Sequence, residues 1–506
     1  MDTVGTTAAD EGELTRRELE RRAKGGVFLV TLRGLAILLL GFVGNVVLAR
    51  LLGPHEFGVV AIGMSFVVFT SLVSDGGLGV GLIRRAEPPS RAELRALNAL
   101  QLGITGSVAL IAAALATPFG RIGWVTAVMV ASLPLVAVQL PGRILLERAL
   151  RYRRLVVVEV VEVLCYFGWA IGTVVAGFGV WGLATAVVVR AAAGAAAMAW
   201  ACPGGLVRPR WSLRLVRPLV GFGLRFQAVD ATWLLRDLAL NAAVASFCGV
   251  SSLGLWTLAK RVMEAPYLFF HSLWRVSFPT MSRLLARKVD ATSLVEQAVA
   301  VAAVGTGLLL TGLAGAAPGL VPGVFGEQWH SAAAVVPWAC LGMAVGGCVS
   351  VATQGFLYAS GDATSVLRAE IMQAVSWLAV ALPLLPVIGV VAAGIGWTVS
   401  SVVAALVLGR ATSRFIPVHL VRPLTAPVAV GVCSASIGWG IAVRGGEDLW
   451  SAALGGTSAA VLFVTGMAVA NRSTLMATCR FVTDAVRAAL SRPDVSPDPT
   501  SQGGRP

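Results

Sequence analysis

GLAILLLGFVGNVVLARLLGPHEFGVVAIGMSFVVFTSLVSDGGLGVGLIRR, residues 34–85, decides the class of this protein. It contains two apolar segments, each near the ~20 residues a helix needs to cross ~30 Å of hydrocarbon. They meet at the corner LLGPHEFG, residues 51–58. Asp75 lies within the second segment, which ends on Arg84 and Arg85. The stretch reads as a transmembrane hairpin that carries polar groups inside it.

The same pattern runs outward to both ends of the chain. Of 506 residues, 57% are hydrophobic and 13% charged. A soluble chain of this length divides into several cores under a far more charged surface. The composition therefore points to an all-α polytopic membrane protein. The apolar runs place about fourteen transmembrane helices, near 28–50, 57–83, 96–117, 122–146, 155–176, 180–201, 217–245, 253–280, 294–316, 333–359, 366–388, 391–411, 424–443 and 450–470.

The net charge of +14 reads as retained cytoplasmic loops rather than as a nucleic-acid surface, because Lys and Arg stay on that side of a membrane. The distribution supports this. The alternate turns expected outside hold only Arg121 and Arg444 as basic residues. The inside loops hold Arg84, Arg85, Arg91 and Arg95, then Arg148, Arg151, Arg153 and Arg154, and later clusters of the same kind. Both termini are expected in the cytoplasm, and the even number of spans agrees. Trp124, Trp181, Trp256, Trp329 and Trp450 fall at the outer ends, as an aromatic belt would.

The expected organisation is a cytoplasmic tail (1–26), an N-lobe of six spans (27–201), a linker (202–216), a C-lobe of six spans (217–411), two further spans (424–470), and a cytoplasmic amphipathic helix with a disordered tail (471–506). A faint repeat supports the two lobes. Asn45 and Gly58 have the same spacing as Asn241 and Gly254, and both pairs flank an outside corner. Two similarly oriented halves place a substrate site between them.

Ionisable residues inside a membrane are costly unless they face protein or water, so they point to function. Span one carries Arg33 and span two Asp75. On span seven, Arg225, Thr232 and Arg236 share one face, and Asp230, Asp237 and Asn241 another. On span eight, Lys260, Glu264, His271 and Arg275 form a stripe. The bland reading is a set of internal ion pairs, such as Lys260 with Glu264, with Arg33 and Arg275 snorkelling to the surface. The functional reading is a water-filled cavity with an excess of basic groups, which suits a phosphate-bearing anion. Glu159 and Glu162 are read as partners of Arg153 and Arg154, and Glu370 as part of a cytoplasmic turn.

The seven cysteines form no CxxC pair, and the four histidines are scattered. No metal site, cofactor or catalytic set is expected, and no P-loop is present, so the chain does not read as an enzyme.

Several stretches resemble the bacterial polysaccharide exporters, the lipid-linked oligosaccharide flippases of the multidrug/oligosaccharidyl-lipid/polysaccharide superfamily. They are the opening hairpin, PGRILLERALRYRRL at 141–155, GFGVWGL at 177–183, VFGEQWHSAAAVVPWACLGM at 324–343 and GFLYASGDA at 355–363. The resemblance implies two six-helix lobes in a V around a cationic cavity, plus two extra helices. It implies flipping of a polyprenyl-diphosphate-linked glycan across the cytoplasmic membrane by alternating access. Arg33, Arg225, Arg236, Lys260 and Arg275 are then the diphosphate candidates. Asp75, Asp230, Asp237, Glu264 and His271 are candidates for cavity polarity or ion coupling. A polysaccharide polymerase and glycosyltransferases become candidate partners. Two other readings stay open: a cation-coupled multidrug exporter, which the acids would serve, and a non-transporting scaffold for glycan enzymes.

Overall fold

The structure, a computed structural model, describes residues 34, 37–75, 79, 82, 87–212, 214–215, 228–264, 266–267, 270, 273, 281, 292–446 and 448–490. Arg33, Arg84, Arg85, Arg225, His271 and Arg275 lie outside the described residues, as do both expected tails and the side chain of Asp230.

Among the described residues the protein is helical, with no strand. Eleven helical spans are long and apolar enough to cross a membrane. In the N-lobe these are α2 (Pro54–Asp75), α3 (Arg91–Ala114), α4 (Thr117–Arg148, with a turn at Ala131 and Ser132), α5 (Tyr152–Val175) and α6 (Val180–Ala201). They continue with α9 (Thr292–Phe325), α10 (Glu327–Ala359), α11 (Ala363–Ile388), α12 (Val391–Thr412), α13 (Val421–Arg444) and α14 (Leu449–Ala470). The other three expected spans are each represented by a shorter described helix: α1 (Ile37–Leu51), α7 (Ala228–Cys248) and α8 (Val250–Val262). A last helix, α15 (Arg472–Leu490), follows α14.

Local chemistry explains where the elements start. Pro54 opens α2, where its missing N–H is one of the orphan donors in any case. Ser90 and Glu93 form a reciprocal capping box that starts α3 at Arg91, five residues before the apolar run begins. Asp362 and Asp448 cap α11 and α14 by accepting from the amides of Ser365 and Ser451.

One expected boundary and one expected placement are corrected. Residues 317–325 were expected in an outside loop, yet α9 continues through Pro318 and Pro322 to Phe325. Gly319 and Gly323 on that segment lie against Asp448 and Leu449, so α14 supports the Pro-containing end. Two of the belt tryptophans are also inside: Trp256 is 1% and Trp329 0% exposed, whereas Trp450 is 80% exposed.

α13 and α14 pack together on α9. In the C-lobe α11 pairs with α12 and α7 with α11. In the N-lobe α5 pairs with α6, and α4 packs on α2, α3 and α6. The lobes meet where α2 crosses α8. Gly58 lies against the carbonyl of Val250, and Gly254 against the carbonyl of Pro54. Pro54 and Val250 open their helices, so the repeat read from spacing is a symmetric contact in space.

Candidate functional site

The polar residues of α7 and α8 converge on one cluster. The Nε and Nη2 of Arg236 donate to Oδ1 of Asp237 at 3.0 and 2.8 Å. Lys260 Nζ lies 3.5 Å from Asp237 Oδ2. Lys260 therefore pairs across to α7 rather than along its own helix to Glu264, which is exposed. Arg236 and Asp237 were expected on different faces, and the reach of the arginine side chain closes that gap.

Aromatic rings frame these charges. The Arg236 guanidinium sits 4.7 Å from the Trp377 ring centre and 5.8 Å from that of Trp233. Lys260 Nζ is 5.6 Å from the Trp256 ring centre. Trp256, Trp377 and Trp397 stack edge to face and tilted beneath them. The negative ring faces hold the two cations in place by cation–π attraction.

Sequence reasoning missed Glu370. It is not at a cytoplasmic turn but 6% exposed within α11. Its carboxylate accepts from Trp233 Nε1 at 2.6 Å and from Gln354 Nε2 at 3.0 Å. The hydrogen bonds fix Trp233 beside Arg236. Once Glu370 is counted, the described basic groups of this stripe do not outnumber the acids. The other basic candidates of the stripe, Arg225 and Arg275, lie outside the described residues, as does Arg33 of span one. The signal for Glu370 was its place in the second turn of a span, where an unpaired carboxylate is costly.

Asn241 reaches the other lobe, donating to Ser65 Oγ of α2 at 3.2 Å, and its carbonyl oxygen has no partner among the described residues. Arg261 lies over the Phe57 ring of α2 at 5.7 Å. Hence the cluster adjoins the seam between the lobes.

Asp75 is elsewhere. It lines a separate cavity inside the N-lobe with Arg143, Glu162 and Arg190. Glu162 pairs with Arg190 of α6 at 3.6 Å rather than with Arg153 or Arg154. The structure thus brings Arg236, Asp237 and Lys260 together and places Asp75 apart from them. Among the described residues no group of three or more His, Cys, Asp or Glu is arranged for a metal. All seven cysteines are free.

A family model described as "Polysaccharide biosynthesis protein" matches residues 47–334. The chain is 26% identical to the lipopolysaccharide biosynthesis protein WzxC of Escherichia coli K12, over 60% of this chain and 63% of that protein. It is 24% identical to the succinoglycan biosynthesis transport protein ExoT of Rhizobium meliloti, over 60% and 62%. Each match spans a little under two thirds of the relative's length. Among solved structures, the lipid II flippase MurJ in an inward closed conformation superposes with a TM-score of 0.66 at 11% identity, covering 91% of this chain and 100% of that one. An inward-facing multidrug resistance MATE transporter superposes at 0.55 and 16% identity, covering 75% and 94%. These structural likenesses concern the fold.

Proposed function

The chain belongs to the polysaccharide biosynthesis protein family, and we propose that it flips a polyprenyl-diphosphate-linked oligosaccharide across the cytoplasmic membrane for cell-surface polysaccharide assembly. The observation that carries the reading is the aromatic-framed Arg236–Asp237–Lys260 cluster beside the lobe seam. Arginine offers a planar fork that fits diphosphate oxygens, and lysine adds a point charge. Arg33, Arg225 and Arg275 extend the positive surface in this proposal. The names of WzxC and ExoT place those proteins in polysaccharide biosynthesis.

The proposed cycle alternates access between leaflets. The Gly58–Gly254 contact closes one end, and separation of α2 from α8 opens it. The N-lobe, C-lobe and extra pair divide as 27–201, 217–411 and 424–470, with both termini in the cytoplasm. A polymerase and glycosyltransferases are the proposed partners.

Complementation of a strain lacking this gene tests the reading. The double variant Arg236→Ala, Lys260→Ala is expected to abolish surface polysaccharide while the lipid-linked precursor accumulates. Unchanged polysaccharide would sink it. The second reading, a cation-coupled drug exporter, rests on Asp237 as a carboxylate in the cluster beside the seam; it predicts efflux of cationic dyes that Asp237→Asn abolishes.

A further inference from the structure

The N-lobe holds a cavity of about 340 Å³ that the diphosphate reading does not use. It lies among α2, α3, α4, α5 and α6. That volume sits at the small end of ligand pockets. Its wall mixes apolar side chains with charged and amide groups, which are costly within a membrane-spanning lobe unless they serve a purpose.

Its chemistry is mixed rather than ionic. Arg143 and Arg190 are balanced by Asp75 and Glu162. Gln101 and Gln139 add amides, and Ser132 and Thr105 add hydroxyls. Gln139 is already engaged through its NH₂, which donates to the Ala191 carbonyl at 3.0 Å. Gln101 is different. It is 3% exposed, lines the cavity, and its carbonyl oxygen has no partner among the described residues. A buried acceptor left unmade costs about 1–3 kcal/mol, a cost that a ligand donor reaching Gln101 would remove. Gly194 of α6 makes room for two of these groups, because a Cβ there would run into the Glu162 carboxylate and lie 2.9 Å from Gln139 Nε2.

We propose that this cavity is a saccharide-binding subsite that takes the hydroxyls of one sugar ring of the transported glycan. A sugar ring presents donors and acceptors in alternation around a neutral body. The wall presents carboxylates and an amide carbonyl for its O–H groups, and guanidiniums for its oxygens. Balanced charge argues against a simple anion. The proposal rests on the flippase reading, which assigns the diphosphate to the separate Arg236–Lys260 cluster.

Saturation-transfer NMR on the full-length protein in lipid nanodiscs tests it, with glucose, galactose, N-acetylglucosamine and glucuronate as probes and inorganic pyrophosphate in parallel. At least one neutral sugar is expected to bind. Gln101→Leu and Gly194→Ala are expected to weaken it tenfold or more, and Arg236→Ala to leave it unchanged. Gly194→Ala removes no polar group, so it carries the test if Gln101→Leu is not monodisperse on gel filtration. Absence of neutral-sugar binding, binding of glucuronate alone, or sugar binding indifferent to monodisperse variants overturns the subsite. If pyrophosphate still binds and needs Arg236 and Lys260, the flippase reading survives that failure. Sugar binding without any pyrophosphate binding sinks the diphosphate assignment instead.

Discussion

Gly58 and Gly254 occupy equivalent places on the two lobes, and each lies against the first carbonyl of the other's helix. The fifth residue of α2 meets Val250, the first of α8, and the fifth of α8 meets Pro54, the first of α2. Small residues let helix backbones approach this closely in a membrane. The contact is self-complementary, so the two hairpins close one end of the lobe seam as a matched pair.

Gly254→Ala places a Cβ into the Pro54 carbonyl, and Gly58→Ala places one into that of Val250. Backbone cannot step aside as a flexible side chain can. Each variant is expected to destabilise the closed arrangement by about 1–3 kcal/mol. Thiol labelling of a cysteine introduced at Phe57, which is 3% exposed, should then accelerate. Labelling no faster than in the otherwise unchanged Phe57→Cys background counts against this contact as the gate.

A second tie crosses the same end. Trp329 Nε1 donates to the Ala49 carbonyl at 2.9 Å, and Gln328 Nε2 to the same oxygen at 2.8 Å. Trp329→Phe keeps most of the buried volume and loses one hydrogen bond, so about 1 kcal/mol is expected. Trp329→Ala also leaves a cavity and should cost about 3–5 kcal/mol. Thermal unfolding in detergent should rank the two in that order; a Trp329→Phe variant as stable as the parent would show that the indole N–H contributes nothing.

Much of this was legible in the residues. Length and hydrophobicity of the runs gave the helical membrane class, since a continuous apolar run of about 20 residues satisfies its own backbone groups in lipid only as a helix. The Asn–Gly spacing anticipated the matched hairpins because equivalent helices need equivalent small residues at the crossing. Partner choice was not legible. Lys260 has an acid four residues ahead in Glu264, but the neighbouring helix brings Asp237 to it. Glu162 is more than two turns from the basic residues the sequence suggested, and α6 delivers Arg190. Trp256 and Trp329 show the same limit. An aromatic at a span's end fits a belt equally well from either side of the helix, and tertiary packing decides.

The loop acids give a pH dependence. Ser365, through its hydroxyl and then its amide, holds the Asp362 carboxyl below its usual value of 3.8. The amide of Ser451, followed by its side chain, does the same for Asp448. A carboxyl lowered on folding adds stability that is complete above the unfolded value and lost as pH falls through the folded one. The melting temperature should therefore hold above about pH 4 and drop below it. Asp362→Asn with Asp448→Asn should flatten the drop, since asparagine caps without titrating. An unchanged slope in the double variant would assign the acid sensitivity to other groups.

Glu370 separates structure from transport. Glu370→Ala strands the Trp233 and Gln354 donors and should cost about 1–3 kcal/mol. Glu370→Gln keeps an acceptor for one of them and should cost less. If Glu370 serves to seat Trp233 against Arg236, Gln should retain most export activity while Ala loses it. Full export by both variants would remove Glu370 from the working site.

Arg236 has two possible duties, neutralising Asp237 and meeting the diphosphate, and paired substitutions tell them apart. Arg236 is 13% exposed at its side chain and Asp237 35%. Arg236→Ala leaves that carboxylate with Lys260 alone and should cost about 1–3 kcal/mol. Adding Asp237→Ala removes the stranded charge, so stability should return in the double variant. Export should not return, because the fork and its stacking on Trp377 are gone. Arg236→Lys should fall between, keeping the charge without the planar geometry. The readouts are melting temperature and surface polysaccharide in the complemented deletion strain. Recovery of both in the double variant would reduce Arg236 to a counter-ion for Asp237.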